Sequence, residues 1–255
     1  MQRRPGHSHR PHGPKRPFHR PPMAAAPSME RMDTLLRKSG IRLDAGQLNQ
    51  LWRYHNLLRK RNVGNELTRL IGFETIVVKH YVDCLIVGNL IRLPAKLVDV
   101  GTGPGFPGVP LKIRYPEIEM ILAEPRPKRV DFLHEVIKEV GLKNTTVFEH
   151  RVVSQSFTEQ VDGVITRAVE TMDKTLLRTS ASLKVGGQAI FMKGPNCDEE
   201  IRDIAKRFSK YFELTLDQPY TLPGTTHDRR LVVYTKIASN ARETASEEVP
   251  SENVH

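Results

Sequence analysis

Between residues 96 and 237, short apolar runs alternate with amphipathic segments of helical length. This alternation is typical of βαβ units, in which the strands form a parallel sheet and the helices cover its faces. Seven strands are predicted, at residues 97–100, 119–123, 146–149, 163–166, 188–192, 211–216 and 231–235. We therefore expect an α/β fold, with residues 96–237 forming a core around one seven-stranded, mostly parallel sheet.

A helical region is predicted before the sheet, at residues 32–95. Asp44 and Gln47 have the spacing of a capping box, which satisfies free amides at the start of a helix. The apolar residues that follow recur at helical spacing, and His55 on that face is predicted to be a packed core residue. A second helical stretch is predicted at residues 76–91, so the core carries an N-terminal helical extension.

Both ends of the chain differ from this body in composition. Residues 1–29 contain six Lys or Arg residues, seven prolines and no acidic residue. Such a segment buries too little apolar surface to offset its ordering entropy, so residues 1–31 are predicted to form a disordered basic tail. Residues 238–255 are rich in glutamate and small polar residues and are predicted to form a disordered acidic tail. Three internal methionines are alternative starts of the protein: Met23, Met29 and Met32.

Charge and cysteine content limit the class of protein. The formal net charge is +10, of which six charges lie in the basic tail, so charge alone does not identify an RNA partner. No apolar run is long enough to span a membrane, which excludes a membrane protein. Cys84 and Cys197 lie far apart, and no Cys is paired with a His at metal-ligand spacing, so neither a disulfide nor a zinc site is expected. These features are typical of a protein of the reducing cytoplasm.

Three glycines follow the first predicted strand, Gly101, Gly103 and Gly105, and Phe106 comes next. Glycines at a strand-to-helix turn let the backbone approach a nucleotide-like ligand closely. Dinucleotide oxidoreductases instead use Gly-x-Gly-x-x-Gly to bind a pyrophosphate. Here Phe106 stands where the third glycine would fall, and Pro104 has no amide proton to donate. An NAD-dependent oxidoreductase is therefore disfavoured, while a glycine-rich turn without a ligand remains an alternative.

Glu124 lies at the end of the second predicted strand, nineteen residues after Gly105. A carboxylate at this place can accept hydrogen bonds from both hydroxyls of a ribose. Together with the loop, it suits an adenosyl ligand without a pyrophosphate, and S-adenosylmethionine is such a ligand. An ordinary surface glutamate is the alternative interpretation.

The loop and several other segments resemble a known family. Residues 99–108, which read Asp-Val-Gly-Thr-Gly-Pro-Gly-Phe-Pro-Gly, are similar to the motif of the glucose-inhibited division protein B family. Members of this family, known as RsmG, are bacterial 16S rRNA guanine-N7 methyltransferases. The resemblance covers about residues 32–236 and continues in Leu67-Thr68-Arg69 and in residues 79–83, 128–133, 162–168, 193–194 and 228–233.

The resemblance implies a class I S-adenosylmethionine methyltransferase with a Rossmann-like core, which acts on guanine N7 in the decoding region of the small ribosomal subunit. It also implies that the methyl donor binds near Gly101 and Phe106, near Val152 and Val153 after the third strand, and near Arg167. Three residues depart from the family's usual pattern: Glu66 for Asn, Glu124 for Asp and Val153 for a frequent acidic residue. The change at Val153 argues against a side-chain hydrogen bond to the adenine, and a backbone contact is the alternative.

The chemistry of guanine N7 limits what the protein must supply. N7 carries a lone pair and no proton, so its attack on a sulfonium methyl group needs alignment and electrostatics but no general base. Arg167 is the catalytic candidate, as a donor to guanine O6 or to a phosphate, or as a contact to the carboxylate of the methyl donor; a surface ion pair is the alternative. Lys193, Arg229 and Arg230, near the ends of late strands, are candidate phosphate contacts or ordinary solvated charges.

His80 and Asp83 have three-residue helical spacing. They are expected either to orient one another or to fix the N-terminal helices on the core.

Two other functions are compatible with this core. One is a small-molecule methyltransferase, and the other is a non-catalytic RNA-binding protein that has lost donor binding. The retained glycines and the acid after the second strand argue against such a loss. A monomer that acts on 16S rRNA or the small ribosomal subunit is expected.

Overall fold

The computed structural model describes residues 26–62, 67–154, 156–157 and 159–239. Most of the predicted basic tail and of the predicted acidic tail therefore lies outside the described residues. Helix α1, Met29–Lys38, begins inside the segment assigned to the basic tail. It begins there because the Ser28 side chain accepts a hydrogen bond from the Arg31 amide and caps the helix. The helical region thus starts at Met29 and not at residue 32.

All seven predicted strands form, and they lie in one sheet. Their order across the sheet is β3-β2-β1-β4-β5-β7-β6. Strands β1 to β5 pair in parallel, whereas β7 runs antiparallel to both β5 and β6. The expected Rossmann-like, mostly parallel sheet is confirmed. The strands are β1 (Lys96–Val100), β2 (Glu119–Ala123), β3 (Thr145–Phe148), β4 (Val161–Arg167), β5 (Leu183–Lys193), β6 (Phe212–Thr221) and β7 (Asp228–Lys236).

Helices cover both faces of the sheet. Neighbouring residues of β1 alternate between the two faces, so Leu97 packs in one buried cluster and Val98 in the other. The first cluster includes side chains of α6 and α7, and the second includes side chains of α8 and α9. The helices that connect the strands are α6 (Gly108–Arg114), α7 (Pro127–Val140), α8 (Met172–Thr179) and α9 (Asp198–Phe208).

The N-terminal helices share the first of these clusters. Leu51 of α2 and Tyr81 are fully buried together with residues of the sheet such as Leu97. Asp44 and Gln47 form the predicted capping box at the start of α2. Besides α1, the region contains α2 (Ala45–Arg61), α3 (Phe73–Ile76), a π-helical segment (Val77–Val82), α4 (Asp83–Leu85) and α5 (Val87–Leu90).

His55 of α2 is fully buried, stacks on Trp52 with a ring-centroid distance of 5.4 Å, and has its Nδ1 3.0 Å from the Tyr81 hydroxyl. The prediction of a packed core histidine is confirmed.

The sheet topology determines where a ligand can bind. The chain leaves β1 towards β2 on one side and later returns to place β4 on the other side. At such a reversal, the loops beyond the carboxyl ends of the strands diverge and leave a crevice. The predicted glycine loop follows β1, and Arg167 ends β4, so both lie at this crevice.

Within the described ranges, no helix is long and apolar enough to cross a membrane. The same part of the chain contains no group of three His, Cys, Asp or Glu residues arranged to hold a metal ion.

Candidate functional site

A cavity of about 970 Å³ lies at the carboxyl ends of β1, β2, β4 and β5. Its volume is at the upper end of the range of about 300–1,000 Å³ that is typical of ligand sites. The cavity brings together most of the predicted site residues: Gly101, Gly103, Phe106, Glu124, Val152, Arg167, Lys193 and Arg229. The N-terminal region completes its wall with Leu67, Thr68, Leu70, Lys79, His80 and Asp83.

The backbone of the loop after β1 requires glycine. Gly101, Gly103 and Gly105 have φ angles of 70°, 62° and 110°, in the region that other residues rarely adopt. A Cβ atom on Gly101 would lie 2.7 Å from the Val169 side chain at the cavity wall. A Cβ atom on Gly105 would lie 2.5 Å from the side chain of Val109 in the core. Gly101 therefore borders the cavity, whereas Gly105 faces the core.

The amide protons of this loop are already used. Residues 101–106 donate every backbone N–H that they possess to acceptors within the protein, and Pro104 has none. A pyrophosphate site needs such amides to be free for the phosphate oxygens. The loop therefore does not suit a dinucleotide, as its spacing predicted. The acceptors are the carbonyl oxygen of Ala123, the Glu124 carboxylate and the carbonyl oxygen of Thr102.

Asp99 of β1 holds the loop from the core side. Its Oδ2 accepts hydrogen bonds from the Thr102 hydroxyl at 2.5 Å and from the Gly108 amide at 2.7 Å. Complete burial raises the pKa of Asp99 to about 7, against the two hydrogen bonds, which lower it. Within the described residues, the buried Oδ1 has no partner. The loop thus rests on a carboxyl group that changes charge near neutral pH.

Glu124, at the end of β2, is 3% exposed. Its Oε2 accepts a hydrogen bond from the Gly103 amide at 3.0 Å and lies 3.4 Å from Arg129 Nη1. Its Oε1 accepts a hydrogen bond from the Arg126 amide at 3.0 Å. Because a carboxylate oxygen can accept two hydrogen bonds, Oε1 keeps one position for a ribose hydroxyl. Glu124 therefore braces the glycine loop and still presents an acceptor to the cavity.

Tyr54 of α2 fixes the tip of the loop from the N-terminal side. Its buried hydroxyl donates a hydrogen bond to the carbonyl oxygen of Pro104 at 2.7 Å, and its ring contacts that of Phe106 at a centroid distance of 5.8 Å. Burial raises the pKa of Tyr54 well above its usual value, so the hydroxyl remains a donor. The position of the loop therefore depends on the N-terminal helices.

Arg167 extends from β4 into the same place. Its Nη1 donates to the carbonyl oxygen of Lys79 and to Asp83 Oδ2, both at 3.2 Å, and its Nη2 donates to His80 Nδ1 at 2.9 Å. Its Cζ lies 5.2 Å from the centroid of the Phe106 ring. The side chain is only 15% exposed, so Arg167 forms an internal network and not the surface ion pair considered above.

His80 joins three parts of the site. Its ring stacks on Phe106 at a centroid distance of 4.2 Å, and its Nε2 lies 2.9 Å from the Thr68 hydroxyl oxygen. Burial and the nearby Arg167 lower the pKa of His80 to about 3, so the imidazole is neutral at physiological pH. Since both His80 and Asp83 bond to Arg167 of β4, they fix the N-terminal helices on the core, which is the second of the two roles expected for them.

Asp83 serves two guanidinium groups. Besides Arg167, its carboxylate lies 3.4 Å from Nε of Arg229 on β7 and accepts a hydrogen bond from the Tyr220 hydroxyl at 3.2 Å. The carboxylate is 3% exposed, and it carries one negative charge against two positive charges. This part of the cavity wall therefore has an excess positive charge that a ligand anion can neutralise.

Lys193 and Arg230, two of the predicted phosphate contacts, are held by acids of this chain. Lys193 Nζ lies at the cavity and 2.8 Å from Glu200. Arg230 does not line the cavity and forms ion pairs with Asp217 and Asp198. Arg230 therefore lies further from the candidate ligand site than Lys193 and Arg229 do.

The two valines after β3 differ in position. Val152 is 3% exposed and lines the cavity, whereas Val153 is 54% exposed and does not. The backbone amide of Val153 donates to the Ser156 hydroxyl at 2.7 Å. Of the two valines, Val152 therefore presents its apolar side chain to the cavity.

Basic side chains predominate in the cavity wall. The three carboxylates there, Asp83, Glu124 and Glu170, are each paired with an arginine. A surplus of positive charge at a cleft attracts a polyanion. The basic residues are Lys79, Arg126, Arg129, Arg151, Arg167, Arg178, Lys193 and Arg229.

Sequence reasoning did not identify Tyr54 or Arg129 as site residues. Tyr54 lies on the buried face of α2, and a buried tyrosine hydroxyl requires a hydrogen-bond partner, which is a usable signal. Arg129 lies in the segment 128–133 that carries part of the family resemblance. Neither signal names the partner, because Pro104 and Glu124 approach only in the folded chain.

Comparison with known proteins gives concordant matches. Residues 47–221 match the family described as GidB, rRNA small subunit methyltransferase G. A protein of Syntrophobacter fumaroxidans named ribosomal RNA small subunit methyltransferase G 2 is 46% identical over 218 residues, which are 86% of this chain and 44% of that protein. The chain thus spans less than half the length of this relative.

Two further relatives match over most of their own length. A protein of Bdellovibrio bacteriovorus, also named ribosomal RNA small subunit methyltransferase G 2, is 40% identical over 82% of each chain. A ribosomal RNA small subunit methyltransferase G of Carboxydothermus hydrogenoformans is 35% identical over 81% of this chain and 91% of its own. Because these matches extend across both the helical region and the sheet, the chain belongs to the rRNA small subunit methyltransferase G family.

Proposed function

We propose that this protein transfers a methyl group from S-adenosylmethionine to guanine N7 of 16S rRNA. The observation that carries the proposal is the Arg167 guanidinium, which is fixed by Lys79, His80 and Asp83 in a cavity that also contains the glycine loop. The names of the relatives, which are ribosomal RNA small subunit methyltransferases, support the same substrate.

The residues at the β1 and β2 ends fit the adenosyl part of the donor. Gly101 lines the cavity beside Val169, where a Cβ atom would not fit, and Glu124 Oε1 keeps an acceptor position for a ribose hydroxyl. Val152 adds apolar surface for a base. When bound, the donor supplies a methyl group on a positively charged sulfur.

Arg167 is suited to orient the reacting groups. A guanidinium has five N–H donors, and acceptors among the described residues use two on Nη1 and one on Nη2. The Nε proton and the second Nη2 proton remain for a ligand acceptor such as guanine O6, a phosphate or the donor carboxylate. The guanine N7 lone pair forms the new bond to carbon as the carbon–sulfur bond breaks, and no proton has to leave. Preorganised charge and alignment therefore account for the rate, without a general base.

The RNA partner is supported by the basic wall of the cavity. Asp83 leaves the positive charges of Arg167 and Arg229 only partly neutralised, and Lys193 lies on the same wall. We assign Arg229 and Lys193 to phosphate contacts, with Arg230 at the periphery. We also propose that the protein acts as a monomer in the cytoplasm, where a ribosomal RNA substrate would be available.

The experiment is methyl transfer from a labelled donor to RNA of cells that lack this protein. Free 16S rRNA, assembled small subunits and a small-metabolite extract are offered in parallel, and the modified base is mapped. The expected product is 7-methylguanine at one position of 16S rRNA.

Label in metabolites alone would indicate a small-molecule methyltransferase. Donor binding without transfer to any acceptor would indicate a non-catalytic RNA-binding protein. Either result would contradict the proposal.

A further inference from the structure

His80 is a buried, neutral imidazole in direct contact with the guanidinium on which the proposed reaction depends. His80 Nδ1 lies 2.9 Å from Arg167 Nη2, and His80 Nε2 lies 2.9 Å from Thr68 Oγ1. Its ring is parallel to that of Phe106 within 16°. Each polar atom of the imidazole therefore has one partner, on opposite sides of the ring.

The chemistry of arginine fixes the direction of both hydrogen bonds. A guanidinium has only donors, so His80 Nδ1 must be the acceptor and carries no proton. The proton of the neutral ring is then on Nε2, which donates to Thr68 Oγ1. Thr68 Oγ1 also accepts from the Leu70 amide at 3.1 Å, which holds the threonine in place.

The acceptor at Nδ1 has a consequence for Arg167. The contacts of Nη1 to Lys79 and Asp83 fix one corner of the guanidinium, and the plane could still tilt about that corner. The bond to His80 fixes a second corner, and the Phe106 ring, 5.2 Å from Cζ, lies against the same group. Two fixed corners leave only a rotation about the line that joins them, and the Phe106 ring restricts this rotation. Together the three contacts decide where the Nε proton and the second Nη2 proton point.

We propose that His80 is a positioning residue for methyl transfer, which accepts a hydrogen bond from Arg167 through Nδ1 and thereby aligns the two remaining guanidinium donors with the reacting groups. The inference rests on the proposed function, because it assumes that Arg167 acts on the bound guanine or on the donor. His80 itself has no contact with the reacting atoms in this scheme. A protonated imidazole would lose the acceptor and repel the guanidinium, and the low pKa of His80 prevents this.

A purely structural role is the competing explanation, in which His80 serves to hold the segment at Thr68 against the core. The two roles use different ring nitrogens, so two amide substitutions separate them. The asparagine amide lies about where Nδ1 lies, and the glutamine amide reaches about to Nε2. His80→Asn keeps an acceptor for Arg167 and loses the bond to Thr68, whereas His80→Gln does the reverse.

The test compares kcat and KM for methyl transfer in wild type, His80→Asn, His80→Gln and the exposed control His134→Gln. We expect His80→Gln to lower kcat by about 100-fold, the effect of a misplacement of about 1 Å at a reacting group, with little change in the KM of the donor. His80→Asn is expected to lose much less activity, and His134→Gln none. A larger loss in His80→Asn than in His80→Gln, or equal losses, would overturn the proposal.

A double-mutant cycle separates this inference from the proposed function. In an Arg167→Ala background, His80→Gln is expected to cause no further loss, because the group that it positions is gone. An additional 100-fold loss there would refute positioning through Arg167. Absence of any methyl transfer by the wild-type protein would instead refute the proposed function.

A readout independent of activity is the nitrogen NMR spectrum of His80 in the wild-type protein, which remains informative if a variant fails to fold. The expected tautomer has an unprotonated Nδ1 and a protonated Nε2 between pH 6 and pH 8, a window well above the pKa of about 3. A protonated Nδ1 would exclude the hydrogen bond from Arg167 and with it the proposal.

Discussion

Replacing Arg167 with alanine tests whether the buried guanidinium carries the methyl-transfer step. The substitution removes the two donors that the protein leaves for ligands, together with the three that hold the side chain in place. Loss of one preorganised charge-stabilising donor costs about 2.7–4 kcal/mol in other enzymes, which corresponds to a rate decrease of about 100- to 1,000-fold. We expect a decrease of that size in the chemical step.

The effect on folding should be smaller than the burial of Arg167 suggests. Removing one partner of a buried ion pair costs about 3–5 kcal/mol when the other charge is left without a partner. Here Asp83 keeps Arg229 Nε at 3.4 Å and the Tyr220 hydroxyl at 3.2 Å, so its charge remains compensated. The variant should therefore fold, and its rate can be measured.

The assay is a single-turnover measurement with saturating donor and RNA, so that binding and product release do not contribute. Arg207→Ala, which removes an exposed arginine paired with Asp173, is the control and should leave the rate unchanged. Arg167→Lys should not restore the rate, because one ammonium cannot contact Lys79, Asp83 and His80 and also a ligand in the planar arrangement of a guanidinium. An undiminished single-turnover rate in Arg167→Ala would remove this residue from the mechanism.

Three further substitutions test the loop. Gly101→Val should abolish donor binding in calorimetry, because its Cβ atom would lie 2.7 Å from the Val169 side chain. Gly224→Ala is the control: Gly224 also has a positive φ, but a Cβ atom there would have nothing within 4 Å. This control should lower stability and leave binding intact. Tyr54→Phe should lower the free energy of unfolding by about 1 kcal/mol and weaken donor binding, since it removes the hydrogen bond to Pro104; unchanged binding would contradict this role. Asp99 has a pKa raised to about 7, so its contribution to stability is complete below about pH 4 and is lost as the pH rises through 7. In urea unfolding, the free energy of unfolding of Asp99→Asn relative to that of wild type should therefore rise from pH 5 to pH 8. Parallel pH profiles for the two proteins would show that the carboxyl group does not titrate in this range.

The fold could be predicted from the sequence because local patterns determine it. Short apolar runs between amphipathic segments located the seven predicted strands, and Gly141, with φ of 74°, ends α7. The bounds of the late strands were less accurate. Strand β6 extends to Thr221 across Pro219, which is tolerated because, among the described residues, β6 is an edge strand that pairs with β7 alone.

The candidate site was only partly predictable. Glu124 follows from its place after β2, since the distance from the glycine loop along the chain is set by one helix and one strand. The contacts of Arg167 with Lys79 and His80, by contrast, join residues 88 and 87 positions apart, and no local pattern encodes which side chains meet across that distance. These contacts depend on how the helical region packs on the sheet.

The different positions of Arg229 and Arg230 could have been predicted from the sequence. Adjacent residues of a strand point to opposite faces, so the two arginines of β7 cannot serve the same site. The structure directs Arg229 to Asp83 and the cavity and Arg230 to Asp217 on the edge strand β6. Applying the two-residue period of a strand to residues 228–233 would therefore have placed Arg229 and Arg230 on opposite faces of the sheet.

The N-terminal helical region is part of the site and not an appendage to it. Tyr54 donates a hydrogen bond to the tip of the glycine loop, and His80 and Asp83 accept hydrogen bonds from Arg167. These three residues all precede the first strand. The Phe106 ring lies between these groups, in contact with Tyr54, His80 and Arg167. A displacement of the helices would therefore move the glycine loop and the guanidinium together. Since an alignment error of about 1 Å can cost about 100-fold in rate, we expect the proposed methyl transfer to depend on the packing between helices and sheet as well as on the cavity wall.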